Sequence, residues 1–181
     1  MTRDNVGLLP LHNAIKHKCG ESSILRILEA NETAAAVPDT NSIPLLHHAI
    51  ESELPESVIL SLLTTNIEAC QTHDNLGLLP LHKAIKHKFC DSTILRILEA
   101  NEIAAQVPDT NGILPIQVAV ESQMSDSVLL ALLRANKDAF KVIKPSLMIP
   151  ALGVQKGDTL DESVHRVAVC DEIGHLSTAT S

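Results

Sequence analysis

A period of 35 residues constrains the fold of this 181-residue chain more than any other feature. The segment 4–38 returns at 74–108 with 27 of 35 positions identical, and weaker copies occupy 39–73 and 109–143. A fixed period of this length predicts one supersecondary unit per copy, because stacked units share a core that a single unit cannot bury. The chain is therefore divided into four repeats.

Each repeat opens with the residues of a tight turn. In the first repeat Asp4 precedes Gly7 by three positions, and the spacing recurs in the third and fourth repeats. Asp bonds its own following backbone and Gly accepts a positive φ, so the pair predicts a turn. Three repeats then place a proline where a helix would begin, namely Pro10, Pro80 and Pro115. The second repeat reads Pro44-Leu45 instead, an exchange that the sequence alone does not explain.

Two helices are predicted after the turn. Leu11, Ala14 and Ile15 have the spacing of one face of a short helix. The second helix is predicted to begin near Ser22, Ser57, Ser92 and Ser127, residues that can cap free N–H groups. Its buried face is the stripe Ile24, Leu25, Ile27 and Leu28, which recurs in every repeat.

Asn31 follows the stripe in register, as Asn66, Asn101 and Asn136 do in the later repeats. Asn tolerates the left-handed conformation that ends many helices, so these residues are predicted to terminate the second helix. The predicted fold class is all-α, a helical solenoid of stacked helix-turn-helix repeats with short turns or hairpins between repeats.

The runs GLLPLHNAI at Gly7, GLLPLHKAI at Gly77 and the looser PLLHHAI at Pro44 resemble the ankyrin-repeat signature G-x-T-P-L-H-x-A. The resemblance covers residues 4–143. The resemblance implies an ankyrin-like array that binds another protein, because ankyrin arrays share this architecture and commonly bind proteins. It does not identify the partner, which differs between ankyrin arrays.

The chain also departs from the ankyrin pattern. The repeat has 35 residues rather than about 33. Leu9 and Leu79 replace the signature Thr, and Gln117 replaces the signature His in the last repeat. The period breaks after 143: residues 144–171 are predicted to be a degenerate capping repeat or, alternatively, an irregular tail, and 172–181 a flexible C-terminus.

Composition and charge exclude several functions. The net charge is −8, whereas binding to nucleic acid or to an anionic membrane requires clustered Lys and Arg. No apolar run reaches the roughly 18 residues of a membrane span or resembles a signal peptide. The four cysteines have no CxxC spacing and predict reduced thiols. We therefore expect a cytoplasmic monomer, with the nucleus as the alternative location, that binds neither nucleic acid nor membrane.

No catalytic or metal-binding set is evident. His12, His47 and His82 lie at the signature position, where the resemblance implies that the ring ties neighbouring turns together. His17 with Cys19 and His87 with Cys90 recur 70 residues apart, too far to share one zinc ion. The sequence therefore predicts no enzyme, no metal and no cofactor.

Charge alternates at the end of the first helix. Lys16-His17-Lys18 and Lys86-His87-Lys88 are basic, whereas Glu51-Ser52-Glu53 and Glu121-Ser122-Gln123 are acidic. Because stacked repeats place equivalent positions side by side, the pattern predicts a ladder of exposed ion pairs that disfavours slips of register.

Two sets of residues are candidates for binding a protein partner of unknown identity. The first set is aliphatic and stands where ankyrin arrays carry projecting turns: Val6, Leu8, Ile43, Leu76, Leu78 and Ile113. The second set varies between repeats on the first helix: Asn13, His48, Lys83 and Val118. The chain is expected to be an adaptor or scaffold that binds through both sets. Two alternatives stay open: the turn residues pack on each other, or the chain is a regulatory or structural fragment of a longer array without independent binding activity.

Overall fold

The computed structural model describes residues 4, 5 and 7–137, and within them the fold is all-α, as predicted, with no strand. The predictions for Val6, 138–143, 144–171 and 172–181 lie outside the described residues. All the described α-helices belong to one compact unit that ends at Asn136. Of the unit that begins at Lys137, only that residue is described.

Each repeat contains a seven-residue helix followed by a ten-residue helix. In chain order these are α1 Pro10–Lys16, α2 Glu21–Ala30, α3 Leu45–Glu51, α4 Glu56–Thr65, α5 Pro80–Lys86, α6 Asp91–Ala100, α7 Pro115–Glu121 and α8 Asp126–Ala135. The predicted starts at Pro10, Pro80 and Pro115 are confirmed. A proline at the first helical position loses no hydrogen bond, because that N–H has no partner within the helix.

Three short 3₁₀ helices were not predicted. They span Glu32–Ala36, Ile67–Gln71 and Glu102–Gln106, each directly after a ten-residue helix. Each buries a pair of small residues, such as Ala34 and Ala35. The connection between repeats is therefore packed structure rather than an open loop.

The helices form two layers. The short helices α1, α3, α5 and α7 contact one another in chain order, and the long helices α2, α4, α6 and α8 do the same. Leu11, Ala14 and Ile15 are buried between the layers, as are their equivalents in the second and third repeats. Burying a large aliphatic side chain contributes about 1.5 to 3 kcal/mol, so the shared interface is the main source of stability.

The buried stripe of the long helix is shifted from its prediction. Leu25, Leu60, Leu95 and Leu130 are only half-buried. From the second repeat onward the fourth buried position is the third residue of the helix instead: Val58, Thr93 and Val128. That residue faces the preceding repeat, a surface that helix periodicity within one repeat does not reveal.

The predicted serine caps are also wrong. The long helices begin one residue earlier, and their N-caps are Gly20, Pro55, Cys90 and Ser125. The predicted serines of the second, third and fourth repeats instead donate hydrogen bonds to a carboxylate of the preceding repeat. Ser57 Oγ to Glu21 Oε1 and Ser92 Oγ to Glu56 Oε1 are both 2.5 Å, and Ser127 Oγ to Asp91 Oδ2 is 3.0 Å.

The asparagines at the ends of the long helices have φ between −158° and −133°, so the left-handed prediction is wrong. In the second, third and fourth repeats the asparagine amide reaches back to the preceding repeat. Asn66 Nδ2 donates to the Ala35 carbonyl at 3.3 Å, Asn101 to Cys70 at 2.9 Å and Asn136 to Ala105 at 3.0 Å. A buried carbonyl left without a donor costs free energy, so this row of bonds favours one register of stacking.

The structure explains the exchange of Pro44 and Leu45. Pro44 is the N-cap of α3, with φ −63°, and Leu45 takes the first helical position. Leu9, Leu79 and Leu114 occupy the same N-cap position with φ between −82° and −77°, close to the range that proline requires. The short helix therefore begins at the same register in all four repeats.

A glycine in the turn fits closely against the next repeat. Gly77 has φ +70°, and a Cβ built there would lie 2.5 Å from Thr110 Cγ2. Gly112 has a similar φ of +76°, but a Cβ there would meet nothing within 4 Å. The two glycines share the conformational requirement and differ in the space around them.

We expect Gly112→Ala to destabilise the protein by about 1 kcal/mol, the cost of a left-handed non-glycine residue. Gly77→Ala should cost at least about 1 kcal/mol more, because the methyl group also displaces Thr110. Urea unfolding of both variants measures the difference. Equal losses would mean that the turns of the third and fourth repeats are not packed as described.

Candidate functional site

The turns that open the repeats are built on one aspartate each. In the third repeat Asp74 Oδ1 accepts the backbone N–H groups of Leu76 and Leu78, both at 2.8 Å. The Asp74 N–H donates in turn to the Leu78 carbonyl at 3.0 Å. Asp39 and Asp109 make the same bonds in their repeats. The predicted turn is therefore present, and its backbone is held rigidly.

The second oxygen of the turn aspartate binds a residue of the short helix. Asn13 Nδ2 donates to Asp4 Oδ2 at 2.7 Å, and His48 Nε2 lies 3.0 Å from Asp39 Oδ2. The equivalent Lys83 places Nζ 2.9 Å from Asp74 Oδ2, and its side chain is buried. Three different side chains thus perform one structural task, which is to fasten the turn to the helix behind it.

These contacts correct the predicted partner surface on the short helices. Lys83 is 7% exposed and cannot present its charge to a partner. Asn13 and His48 are half-buried and bound to their aspartates. Val118, also half-buried, has no group that can bind Asp109. The variation among the first three positions therefore includes three alternative ways to hold the turn, and Val118 in the fourth repeat makes no such contact.

The ionisation of the turn aspartates follows from the same geometry. Burial raises the pKa of Asp74, but the Lys83 ammonium and the N–H groups of Leu78 and Leu76 outweigh it, so the pKa lies below the usual value. The pKa of Asp109 is lowered mainly by the Ile113 N–H. The N–H groups of the turn thus favour the ionised form of Asp74 and Asp109, so both carboxylates carry their negative charge at neutral pH.

The aliphatic turn residues separate into two groups. Leu8, Ile43, Leu78 and Ile113 are half-buried at the base of the turn, so they are not projecting tips. Leu76 stands at the tip and is 64% exposed. Its equivalents in the second and fourth repeats are the exposed Asn41 and Asn111. The described tips thus form a row in which one leucine is flanked by two asparagines.

Two exposed isoleucines were missed by the sequence analysis. Ile67 is 54% exposed and Ile103 is 69% exposed, both on the 3₁₀ helices. The recurring pairs Ala34-Ala35 and Ala104-Ala105 are the signal that could have revealed these helices, since small residues at a fixed place in the period indicate close packing.

The signature histidines lie at the core of the stack. His47 Nε2 lies 2.7 Å from the Thr72 carbonyl, which connects the short helix to the start of the next turn. Burial lowers the pKa of His47 to about 4, and the Thr72 carbonyl opposes the effect only in part. Burial also lowers the pKa of His82, against the opposing charge of Asp109.

The predicted charge ladder exists at one interface. Between the second and third repeats, Glu53 Oε1 lies 3.1 Å from His87 Nδ1, and Glu51 Oε2 lies 3.5 Å from Lys83 Nζ. Lys86, the expected partner of Glu51, makes no ion pair within the described residues. At the two flanking interfaces the positions equivalent to Glu51 and Lys83 are Lys16 and His48, and Lys86 and Val118. Neither combination can form an ion pair.

Among residues 4, 5 and 7–137 no group of three or more His, Cys, Asp or Glu side chains is placed to hold a metal ion. No helix in the same part of the chain is long and apolar enough to cross a membrane.

No model of a known protein family matches the chain, and no curated protein matches its sequence.

The buried Lys83 provides a test of how the turn is held. Lys83→Leu should destabilise the protein by about 3 kcal/mol, because it leaves the buried Asp74 carboxylate without its cation. Lys83→Asn should cost much less, about 1 kcal/mol, because Asn13 already binds Asp4 from the same position. Denaturant unfolding distinguishes the two variants. Equal losses would show that the pair with Asp74 contributes nothing beyond the packing of the lysine side chain.

The buried His47 predicts a dependence of stability on pH. The unfolded chain binds the proton near the ordinary pKa of 6.5 and the folded chain only near 4, so protonation favours unfolding. The free energy of unfolding should therefore fall as the pH falls from about 6.5 to 4, by up to about 3 kcal/mol.

His47→Gln should flatten this dependence of stability on pH, because glutamine does not bind a proton in this range. The fold should accept the change, since Gln117 already occupies the equivalent position and accepts the Leu114 N–H at 2.8 Å. His17→Gln, which changes an exposed imidazole, is the matched control. An unaltered slope in His47→Gln would contradict the assignment.

Proposed function

We propose that the chain is an ankyrin-like repeat module whose function is to bind another protein, as an adaptor or scaffold, through the tips of its turns. The observation that carries the proposal is Leu76, which is 64% exposed at the tip of a turn whose backbone is held by Asp74. The ankyrin resemblance of the runs at Gly7 and Gly77 supports the same class of function.

Rigidity favours binding at this site. Ordering a loop on association costs free energy, and a turn that is ordered beforehand avoids that cost. The Leu76 turn is closed by two bonds to Asp74 Oδ1, and Asp74 is held in turn by Lys83. An exposed leucine on such a turn can enter an apolar pocket without rearrangement of the chain.

The chemistry of the row indicates the kind of partner surface. Asn41 and Asn111 flank Leu76 at the equivalent tips and present amide groups that donate and accept hydrogen bonds. A partner is therefore expected to offer an apolar pocket with polar groups on both sides. Binding energy at interfaces concentrates in a few central apolar residues surrounded by weaker polar contacts, which is the arrangement proposed for Leu76.

A binding module is favoured over an enzyme because the titratable groups have structural tasks. The turn aspartates hold backbone N–H groups, and His47 bonds the Thr72 carbonyl. A cytoplasmic location, with the nucleus as the alternative, belongs to the same proposal. The free thiols of Cys19, Cys70 and Cys90 support a reducing compartment.

The test replaces Leu76 by the residue that the chain itself uses elsewhere. Leu76→Asn should preserve the turn, because Asn41 and Asn111 occupy the same position in turns with the same hydrogen bonds. Proteins captured from an extract of the native cell by the wild-type chain are identified, and the dissociation constant of each purified complex is then measured for the variant. A loss of about tenfold or more is expected.

The matched control is Ile103→Asn, which removes an equally exposed aliphatic side chain from a 3₁₀ helix. It should leave the affinity unchanged. If Leu76→Asn folds and binds every captured protein as tightly as the wild type, the turn tips are not the binding surface.

A further inference from the structure

The turn that joins the two helices of each repeat holds one residue in the left-handed region. These residues, with φ between 50° and 56°, are Lys18, Glu53, Lys88 and Gln123. In the third repeat the Lys88 N–H donates to the Ile85 carbonyl, and the Phe89 N–H donates to the Ala84 carbonyl. This pair of bonds closes the C-terminus of a helix, and glycine is the residue that usually takes its left-handed position. None of the four repeats has a glycine there. We call these four residues the helix-end row.

The chain does use glycine for a positive φ elsewhere. The turn that opens each repeat also requires a positive φ, and three of the four repeats supply it with Gly7, Gly77 and Gly112. A side chain in the left-handed region brings Cβ close to the following carbonyl oxygen, which destabilises the fold. Glycine would remove this strain at every position of the helix-end row. Strain that recurs at one place in four repeats therefore indicates that the side chains there have a task.

Contacts within the stack explain only one member of the helix-end row. Glu53 Oε1 lies 3.1 Å from His87 Nδ1 of the next repeat. Lys18, Lys88 and Gln123 are exposed, and their side chains form no hydrogen bond or ion pair in the part of the chain that the structure describes. The fold therefore has no use for the two lysine side chains that would offset the strain of their backbone.

The charges of the row form a pattern. Lys16 stands two residues before Lys18, and Lys86 stands two residues before Lys88; all four are exposed and form no ion pair within the described residues. The repeat between them presents the carboxylate of Glu53. Helices that pack on each other lie about 10 Å apart, so Lys18 and Lys88, two repeats apart, are separated by about 20 Å. The row thus presents two cationic sites with one carboxylate between them.

We propose that the helix-end row binds an acidic segment of a partner protein, in which two clusters of Asp or Glu meet Lys18 and Lys88 and a basic residue between them meets Glu53. In an extended segment, 20 Å corresponds to about six residues. A nucleic acid fits this pattern less well, because its evenly spaced phosphates also place negative charge against Glu53.

This surface is distinct from the turn tips. Leu76 precedes the short helix Pro80–Lys86, whereas Lys88 follows it, so the two surfaces lie at opposite ends of that helix. The proposal therefore does not rest on the role of Leu76.

A labelled synthetic peptide tests the charge pattern directly. The peptide carries two pairs of glutamates whose centres are about six residues apart, with one lysine between the pairs. Fluorescence anisotropy at low ionic strength should show saturable binding that weakens as salt is added, because exposed ion pairs are screened. A peptide of the same composition with its four glutamates adjacent should bind more weakly. Equal binding of the two peptides, no binding, or equally tight binding of an oligonucleotide of the same net charge overturns the proposal.

Substitution by glutamine removes the charge and keeps the backbone. The double variant Lys18→Gln, Lys88→Gln carries at both positions the residue that the fourth repeat already holds there, Gln123. It should unfold at the same urea concentration as the wild type. Its affinity for the peptide should fall about tenfold, which is about threefold for each exposed ion pair lost. An unchanged affinity would contradict the assignment of the two lysines.

Substitution by glycine should change stability and binding in opposite directions. The double variant Lys18→Gly, Lys88→Gly should raise the urea midpoint by about 0.5 M for each substitution, because the left-handed strain is removed. The same variant should bind the peptide about tenfold more weakly. Gln123→Gly is the matched control: it should raise the midpoint and leave the affinity unchanged.

Two results of the glycine experiment would overturn the proposal. A lower urea midpoint would mean that the lysine side chains serve the fold, and a wild-type affinity would mean that they do not serve binding. Leu76→Asn should bind the peptide like the wild type, so failure at the turn tips and failure at the helix-end row are separate outcomes.

Discussion

Consecutive helix pairs are joined by hydrogen bonds from side chains of one repeat to acceptors of the repeat before it. Asparagine amides reach back 31 residues to a carbonyl, and Ser57 and Ser92 reach back 36 residues to a carboxylate. Aliphatic faces supply most of the stabilising free energy, but hydrophobic contact is non-directional and tolerates sliding. The polar bonds form in one register alone, because a slip leaves buried donors and acceptors without partners. Hydrophobic burial therefore drives the repeats to stack, and the asparagine and serine hydrogen bonds between repeats fix the register in which they stack.

The same division explains which features could be predicted from the sequence. The starts of the short helices at Pro10, Pro80 and Pro115 followed from a local rule about proline and are confirmed. Asn31 and Ser22 were assigned by equally local rules about helix ends, and those assignments were wrong. The bonds of their equivalents run to another repeat, which no rule on neighbouring residues can detect. Lys83 was expected on a binding surface because its position on the short helix varies between repeats, and only the fold brings Asp74 and Glu51 to it.

The interfaces between described repeats are of two kinds. Glu51 and Glu53 bind Lys83 and His87 where the third repeat packs on the second. The interfaces on either side lack these pairs, and there a turn glycine faces a threonine instead: Gly7 faces Thr40 and Gly77 faces Thr110. Ser42, with φ +64°, replaces the glycine at the middle interface, where the next repeat carries Asn75 in place of threonine. The structural unit is thus a pair of repeats, which accounts for the near identity at a separation of 70 residues.

Under the proposed function, the turns combine a structural role with the recognition of a partner. A turn held by Asp74 needs no particular side chain at its tip, since Asn41, Leu76 and Asn111 occupy tips with the same backbone bonds. The residue at the tip can therefore vary without breaking the turn, whereas residues 74, 78 and 83 are constrained by the contacts that hold the turn to the helix. A single exposed leucine is ordinary on a protein surface. Leu76 differs because its position is fixed before any partner arrives, so little conformational entropy remains to be lost on binding. Specificity can then change at the tips without disturbing the stack beneath them.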